Sequence, residues 1–303
     1  MDNFDPTIGA VQQLEPGLRR IVAPNPSPMT YRGTNTYLLG DKDLALIDPG
    51  PDNPAHLGAI LAALGPGERI SKIIVTHSHL DHSPLARPLA QQTGAPVLAF
   101  GGPAAGRSAA MSALVKTGMT GGGEGIDRDF VPDVTLVDGA TVTGDGFALE
   151  VIHTPGHLGN HISLAWNDAC LTGDHVMGWA SSLVSPPDGD LTDFMASCAR
   201  LAARTWRAFY PGHGDVISQP NARLDWLIAH RLGREAAILS ALDAGPASAD
   251  EIATTVYTDT PTALLPAATR NVLAHLIDLT GKSKVRPLGP LTATVQFERI
   301  PSP

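Results

Sequence analysis

The chain has 303 residues, 43% of them hydrophobic and 17% charged, the balance of a soluble globular protein with room for one large domain or two smaller ones. Its net charge of −9 argues against sequence-independent nucleic-acid binding as the main activity, and two cysteines, Cys170 and Cys198, cannot make a disulfide framework. No apolar run reaches the length of a membrane span, and Met1–Asp5 lacks the basic and apolar regions of a secretory signal, so a cytoplasmic protein with reduced thiols and no membrane partner is expected.

Val11, Leu14 and Ile21-Val22 predict one or two strands before the loop Pro24–Pro28. Thr36–Leu39 and Leu44–Ile47, joined by Gly40-Asp41-Lys42-Asp43, read as a hairpin whose second strand ends at the turn Asp48-Pro49-Gly50. Leu57, Ile60, Leu61 and Leu64 recur at helical spacing and stop at Gly65-Pro66-Gly67. Ile73-Ile74-Val75 is a β-branched strand that runs into Thr76-His77-Ser78-His79-Leu80-Asp81-His82. Three imidazoles and a carboxylate so close together are poor core material, because each polar group needs a partner once buried. On a loop at the carboxyl end of a strand, that spacing is a strong metal-binding signal. Ser83-Pro84 predicts the next helix, with Ser83 as N-cap, reaching about Thr93 and kinked or shortened by Pro88. A strand follows at Pro96–Ala99.

Residues 101–126 carry Gly101-Gly102, Gly118, Gly121-Gly122-Gly123 and Gly125 around one short helix near Ala109–Lys116. They read as a mobile surface insertion, the alternative being a lid over the site. Strands are predicted at Val134–Val137, Thr141–Thr143, Phe147–His153, His161–Trp166, Ala169–Thr172 and Arg207–Tyr210, with a helix at about Leu191–Ala203. Two such halves suit a sandwich of sheets flanked by helices. Three further polar groups fall at strand ends: His157 in Thr154-Pro155-Gly156-His157, Asp174 after Gly173, and His213 in Tyr210-Pro211-Gly212-His213-Gly214. The glycines let the backbone turn tightly around the imidazole.

From Arg223 the texture changes. Leu224, Leu227, Ile228, Leu232, Ile238, Leu239 and Leu242 form a helical stripe, Ser248 with Glu251 forms a capping box, and Leu264–Leu279 is a further helix. Lys282–Arg286 and Thr294–Phe297 predict a two-stranded wing. Residues 222–303 hold eight Lys/Arg and eight Asp/Glu, so the whole charge of −9 lies in residues 1–221. The division is therefore a metal-binding domain over 1–221 and a winged-helix-like domain over 222–303.

HxHxDH, TPGH, GD and PGHG in this order resemble the metallo-β-lactamase superfamily over roughly residues 10–220. The subgroup most similar is the β-lactamase-like protein 2 type, which adds a C-terminal winged helix. Asn25-Pro26-Ser27-Pro28, Gly33–Tyr37, His157-Leu158-Gly159-Asn160-His161 and His230-Arg231 with Arg234-Glu235 resemble its segments. The resemblance implies an αβ/βα sandwich in the α/β class with a two-metal site at one edge. It implies that His77, His79 and His157 bind one metal, that Asp81, His82 and His213 bind the other, and that Asp174 bridges them. Imidazole and carboxylate ligands without a thiolate suit zinc, two per chain, with iron or manganese as substitutes.

The chemistry expected is that of a di-zinc hydrolase using a metal-bridging hydroxide on a small ester, thioester or lactone, with Asp81 orienting the hydroxide. His161 is a candidate substrate contact, with a structural imidazole as the alternative. Asp48 is either a turn carboxylate or a partner of a ligand imidazole. Two other functions remain open: a phosphodiesterase or endoribonuclease acting on RNA, and a non-catalytic winged-helix nucleic-acid-binding protein with a structural metal. Seven candidate ligands weigh against the last, since a structural zinc needs about four.

Overall fold

The structure, a computed structural model, describes residues 4–120 and 125–301. The glycines Gly121-Gly122-Gly123 of the 101–126 insertion lie outside the described residues. Seven strands lie in sequence order in a first sheet: β1 (Val11–Glu15), β2 (Leu18–Val22), β3 (Asn35–Leu39), β4 (Asp43–Ile47), β5 (Arg69–Ile74), β6 (Val97–Ala99) and β7 (Val134–Thr135). The first four are antiparallel; β4 to β7 are parallel. Helices α1 (Pro54–Ala62) and α2 (Ala86–Thr93) make the crossovers, and α3 (Ala109–Lys116) precedes β7.

A second sheet has the order β12-β11-β10-β9-β8. Its strands are β8 (Thr141–Gly144), β9 (Phe147–His153), β10 (Ile162–Trp166), β11 (Ala169–Gly173) and β12 (Ala208–Pro211). Helix α4 (Leu191–Ala202) connects the parallel pair β11 and β12.

Period-two alternation divides the central strands between two cores. Tyr37 and Leu39 of β3 and Ala45 and Ile47 of β4 face the second sheet, where they meet Leu149, Val151, Leu164 and Leu171. Their alternates Leu38, Leu44 and Leu46 turn outward against Ile60 of α1 and Leu89 of α2. On the far side, Ile152, Ala165, Cys170 and Phe209 pack on Phe194 and Leu201 of α4. Strands buried on both faces need nearly continuous apolar sequence, as β4 has from Leu44 to Ile47. The result is the αβ/βα sandwich. Cys170 and Cys198 are both free and buried.

One helix start differs from its expectation. Ser83 does not cap α2: the helix begins at Ala86, and its N-cap, Leu85, makes no side-chain cap bond. The Ser83 hydroxyl donates instead to the Asp127 carboxylate at 2.7 Å. Pro88 thereby falls in the first turn, where its missing N–H costs no intrahelical bond.

The C-terminal unit has helices α5 (Pro220–Ala241), α6 (Ala249–Val256) and α7 (Leu265–Gly281) and strands β13 (Ala247–Ser248), β14 (Val285–Pro287) and β15 (Gln296–Arg299), in the order β13-β15-β14. It is a winged helix around Ile238, Ile252, Val272, Leu276 and Phe297. The capping box forms as expected, and Ser248, extended as an N-cap must be, also pairs with Gln296, giving the wing a third strand. Helix α5 belongs to both units. Leu224 and Leu227 lie in the core against α4, whereas Ile238 lies in the winged-helix core, so position 222 falls inside the first turn of a continuous helix. Among the described residues, no helix is long and apolar enough to cross a membrane.

Two imidazoles buried away from the site set an acid limit on the fold. Burial lowers His56 to about 4, and burial together with Arg231 lowers His275 to about 3; neither ring nitrogen of His275 has a hydrogen-bond partner. Both values lie below 6.5, so the unfolded chain takes up protons first, and stability falls as pH drops below about 6.5. The loss levels off near 4 for His56 and near 3 for His275. Urea unfolding at pH 7 and pH 5 should show a loss of up to about 2 kcal/mol for each group. His275→Leu should shrink that loss; an unchanged pH dependence would contradict a buried neutral imidazole.

Candidate metal centre

The site forms where β4, β5, β9, β11 and β12 end. Asp48, just beyond β4, adopts φ 51°, a left-handed conformation that Asp tolerates better than most residues. That turn aims its carboxylate at the next strand end. Oδ1 accepts the Thr76 N–H at 2.7 Å, while Oδ2 accepts the Thr76 hydroxyl at 2.8 Å and His82 Nδ1 at 3.0 Å. Asp48 is thus both a turn residue and the partner of an imidazole in the cluster.

The outer contacts settle which ring nitrogens carry protons. The Thr76 hydroxyl is spent on Asp48, so its oxygen accepts from His77 Nδ1 at 3.0 Å. His157 Nδ1 donates to the Leu183 carbonyl at 2.7 Å, and His213 Nδ1 to the Gly33 carbonyl at 3.2 Å. Each of these Nδ1 atoms is therefore protonated, which leaves Nε2 to face inward.

The inward atoms form two groups. His77 Nε2 and His157 Nε2 lie 3.0 and 3.1 Å from His79 Nδ1, so three ring nitrogens converge on one point. Burial, then the neighbouring imidazoles, hold His77 well below its ordinary range and His79 at about 3. The second group is Asp81, His82, Asp174 and His213. His213 Nε2 is 3.0 Å from Asp81 Oδ2 and 3.2 Å from Asp174 Oδ2; His82 Nε2 is 3.4 Å from Asp81 Oδ2 and from Asp174 Oδ1. Burial works against charge on these imidazoles, but the carboxylates outweigh it and raise His82 well above its usual range and His213 to about 10. Asp81 and Asp174 are held low in turn, burial raising them and the imidazoles prevailing.

Asp174 belongs to both groups, since its Oδ2 is also 4.0 Å from His77 Nε2 and 3.7 Å from His157 Nε2. Its Oδ1 is buried without a hydrogen-bond partner. Converging lone pairs, paired carboxylates and an orphaned oxygen are what a divalent cation resolves, and the residues fit one in each group. A cation in the second group displaces the protons that the carboxylates hold on His82 and His213.

The glycines of the two motifs are needed for closeness. A Cβ on Gly212 would lie 2.2 Å from Asp174 Oδ1, and one on Gly173, at φ 48°, would lie 2.7 Å from His161 Nε2. His161 itself does not reach substrate space. It is fully buried, accepts the Asp174 N–H on Nε2 at 3.1 Å and meets the Thr154 hydroxyl with Nδ1, so it positions Asp174 from below. His175 lies deeper still, its Nε2 3.4 Å from Cys198 Sγ. His153 stacks on Phe100 and bonds the Gly159 carbonyl, and His56 bonds the Thr36 hydroxyl.

A cavity of about 760 Å³ opens on the cluster. His79, Asp81, His157, Asp174 and His213 line its floor; His77 and His82 are fully buried behind them. Met29, Leu80, Met177 and Leu183 line the walls, and Leu264 and Arg270 of the C-terminal unit close one side. Gly125, near the end of the 101–126 segment, also lines the cavity, and its carbonyl accepts the Leu80 N–H at 2.7 Å. Sequence reasoning had no role for Thr76, Thr154, Leu183 or Arg270; Thr76 and Thr154 stood inside the histidine motifs, whereas Leu183 and Arg270 offered no signal.

Fold and site together define a metal-dependent hydrolase, and the chain belongs to the metallo-β-lactamase superfamily: the superfamily's sequence model matches residues 29–213, and that of the beta-lactamase associated winged helix domain matches residues 248–289. A beta-lactamase-like protein 2 homolog of Drosophila melanogaster is 33% identical over 300 residues, covering 92% of this chain and 93% of that protein. An atrochrysone carboxyl ACP thioesterase of Aspergillus fumigatus is 30% identical over 249 residues, covering 78% of this chain and 68% of that one. Among solved structures, a metallo-beta-lactamase family protein from Thermus thermophilus superposes with a TM-score of 0.74 at 27% identity, covering 95% of this chain and all of the other.

Proposed function

We propose that the chain hydrolyses a small ester, thioester or lactone, with two divalent ions, zinc first among them, held by the seven residues. His77, His79 and His157 would hold one, Asp81, His82 and His213 the other, with Asp174 between. When bound, such ions supply an acidified water and polarise the electrophilic oxygen. The chain's own residues do the rest. Asp48 and Thr76 fix the imidazole tautomers, and His161 fixes Asp174 from its backbone. Asp81, a quarter exposed at its side chain and therefore open to the cavity, orients the attacking water and carries its proton toward the leaving group. The observation that carries this reading is the double cluster at the floor of a cavity of about 760 Å³, the size of a small-molecule site. Thioesters stand first in the class because the Aspergillus fumigatus relative is named as a thioesterase.

Small substrates are favoured over RNA by the state of the winged helix. Its wing cations are already paired: Lys282 and Lys284 with Glu235, Arg286 with Glu298, and Arg299 with Asp243. Helix α7, the second of the α6–α7 pair and so the one placed to enter a groove, is docked on the metal domain. Its Asn271 accepts the Val184 N–H and its Asp278 accepts the Thr192 hydroxyl.

Metal analysis of purified protein should give two divalent ions per chain. One ion under metal-replete conditions would count heavily against the two-metal reading; two ions of iron or manganese would correct only their identity. A panel of thioesters, lactones, β-lactams, phosphodiesters and short RNA then tests the reaction. Turnover confined to the phosphodiesters or RNA would overturn the acyl reading.

A further inference from the structure

The cavity holds one feature that hydrolysis does not explain. Arg270 is the only Lys or Arg that lines it among the described residues, and it comes from α7 of the winged helix. Its surroundings on that side are apolar: Leu183, Ala263, Leu264, Pro266 and Ala267. Nε donates to the Ser185 hydroxyl at 2.9 Å, and Nη2 donates to the Pro186 carbonyl. Both acceptors are neutral, and no carboxylate pairs with Arg270 among the described residues, in contrast to the wing cations. The two donations fix the plane of the guanidinium. Nη1 has no partner among the described residues, so a fork edge is left for a ligand. A fixed cation on an apolar wall costs desolvation unless an anion meets it, and a fixed guanidinium is suited to a carboxylate or phosphate.

We propose that Arg270 is the specificity-determining residue of the cavity and selects acyl substrates that carry an anionic group beyond an apolar body. The inference rests on the acyl-hydrolase reading above. With the scissile carbonyl over Asp81 and His213, the apolar body lies against Leu80, Met177 and Leu183, and the carboxylate or phosphate meets Arg270. Water's oxygen then bonds the acyl carbon, the carbon–sulfur or carbon–oxygen bond breaks, and the leaving group takes a proton. The anion's place is open to two sources, a carboxylate at the far end of the acyl chain or a phosphate on the thiol arm.

Three thioesters of equal length distinguish them: one neutral, one with a terminal acyl carboxylate, and one with a phosphate on the thiol arm. For the full-length, metal-loaded protein, kcat/KM for one anionic series should exceed that for the neutral thioester by at least about tenfold, and that ratio should fall at high salt. Arg270→Gln should bring the ratio to about one, Arg270→Lys should leave it in between, and Arg286→Gln, on the wing, should leave it unaltered. A ratio near one in the wild type, or one that survives Arg270→Gln, overturns the proposal. If Arg270→Gln fails to fold, the Lys variant and the salt dependence decide; a salt-independent ratio overturns it. If no thioester is turned over, the thioesterase reading has failed separately. Calorimetric titration with the ω-carboxy acid and the phosphorylated thiol then tests the anion site itself, binding lost in Arg270→Gln and weakened in Arg270→Lys supporting it and no binding to the wild type overturning it.

Discussion

Asp174→Ala and His79→Ala should each lower hydrolysis at least about 1000-fold, roughly 4 kcal/mol in the barrier, with an unchanged far-UV circular dichroism spectrum. The separation of fold from function follows from which atoms make which contacts. The loop at Asp174 is held by its backbone: the N–H donates to His161 Nε2, and the carbonyl accepts the Ser182 hydroxyl. Among the described residues, the carboxylate meets only imidazoles. Likewise, the His79 carbonyl accepts the His82 and Ser83 N–H groups, whereas its ring meets only His77 and His157. Alanine keeps every backbone bond and removes only the group that serves the cluster. Turnover by either variant within about tenfold of the wild type would refute the two-metal mechanism.

The parts of this site that the sequence reveals are those whose chemistry has no other use. Three imidazoles and an aspartate within six residues are poor core material without partners, so His77, His79, Asp81 and His82 stand out, and His157, Asp174 and His213, each a modest signal at a strand end, gain weight from occurring together with that cluster. Strands β3 and β9 and helix α3 are legible for a similar reason, because their apolar spacing and bounding turns agree. Ser83 misleads because a Ser-Pro pair acts as a cap only if the helix starts there; the loop instead uses its hydroxyl to hold Asp127. Gly212 reads as a turn glycine, but what excludes a side chain is the Asp174 carboxylate, which is remote in sequence. Asp48 cannot be separated from an ordinary turn carboxylate until β4 and β5 are seen in parallel register, which brings Thr76 and His82 to it. Arg270 leaves no local signal at all, since its partners Ser185 and Pro186 lie across the boundary between the units, and Arg231 shows only through the resemblance of its segment, not through any local pattern.

Arg231→Met should loosen the metal centre from a position that does not line the cavity. Arg231, on α5, is 2% exposed and donates through Nη1 to Asn271 Oδ1 at 3.0 Å and through Nη2 to the Ser182 carbonyl, with its guanidinium 5.1 Å from the Phe194 ring centre. Asn271 also holds the Val184 N–H, and the Ser182 hydroxyl holds the carbonyls of Asp174 and His175. Between Ser182 and Val184 lies Leu183, whose carbonyl fixes the His157 tautomer. One guanidinium thus braces the segment on which both Asp174 and His157 depend. Methionine fills much of the same space but leaves the Ser182 carbonyl without its donor, a cost of about 1–3 kcal/mol for a buried group left unpaired, while Asn271 keeps the Val184 N–H and loses one donor. Part of that is returned because a buried charge is no longer carried, so the net loss of stability should be about 2 kcal/mol. Metal retention should suffer more visibly. Competition with a chelator should show at least one of the two ions released about tenfold more readily than from the wild type, and Arg231→Lys should restore little because a point charge cannot serve both acceptors. Wild-type metal retention in Arg231→Met, with stability reduced, would show that the brace supports the winged helix alone and that Asp174 and His157 are held by their own loops.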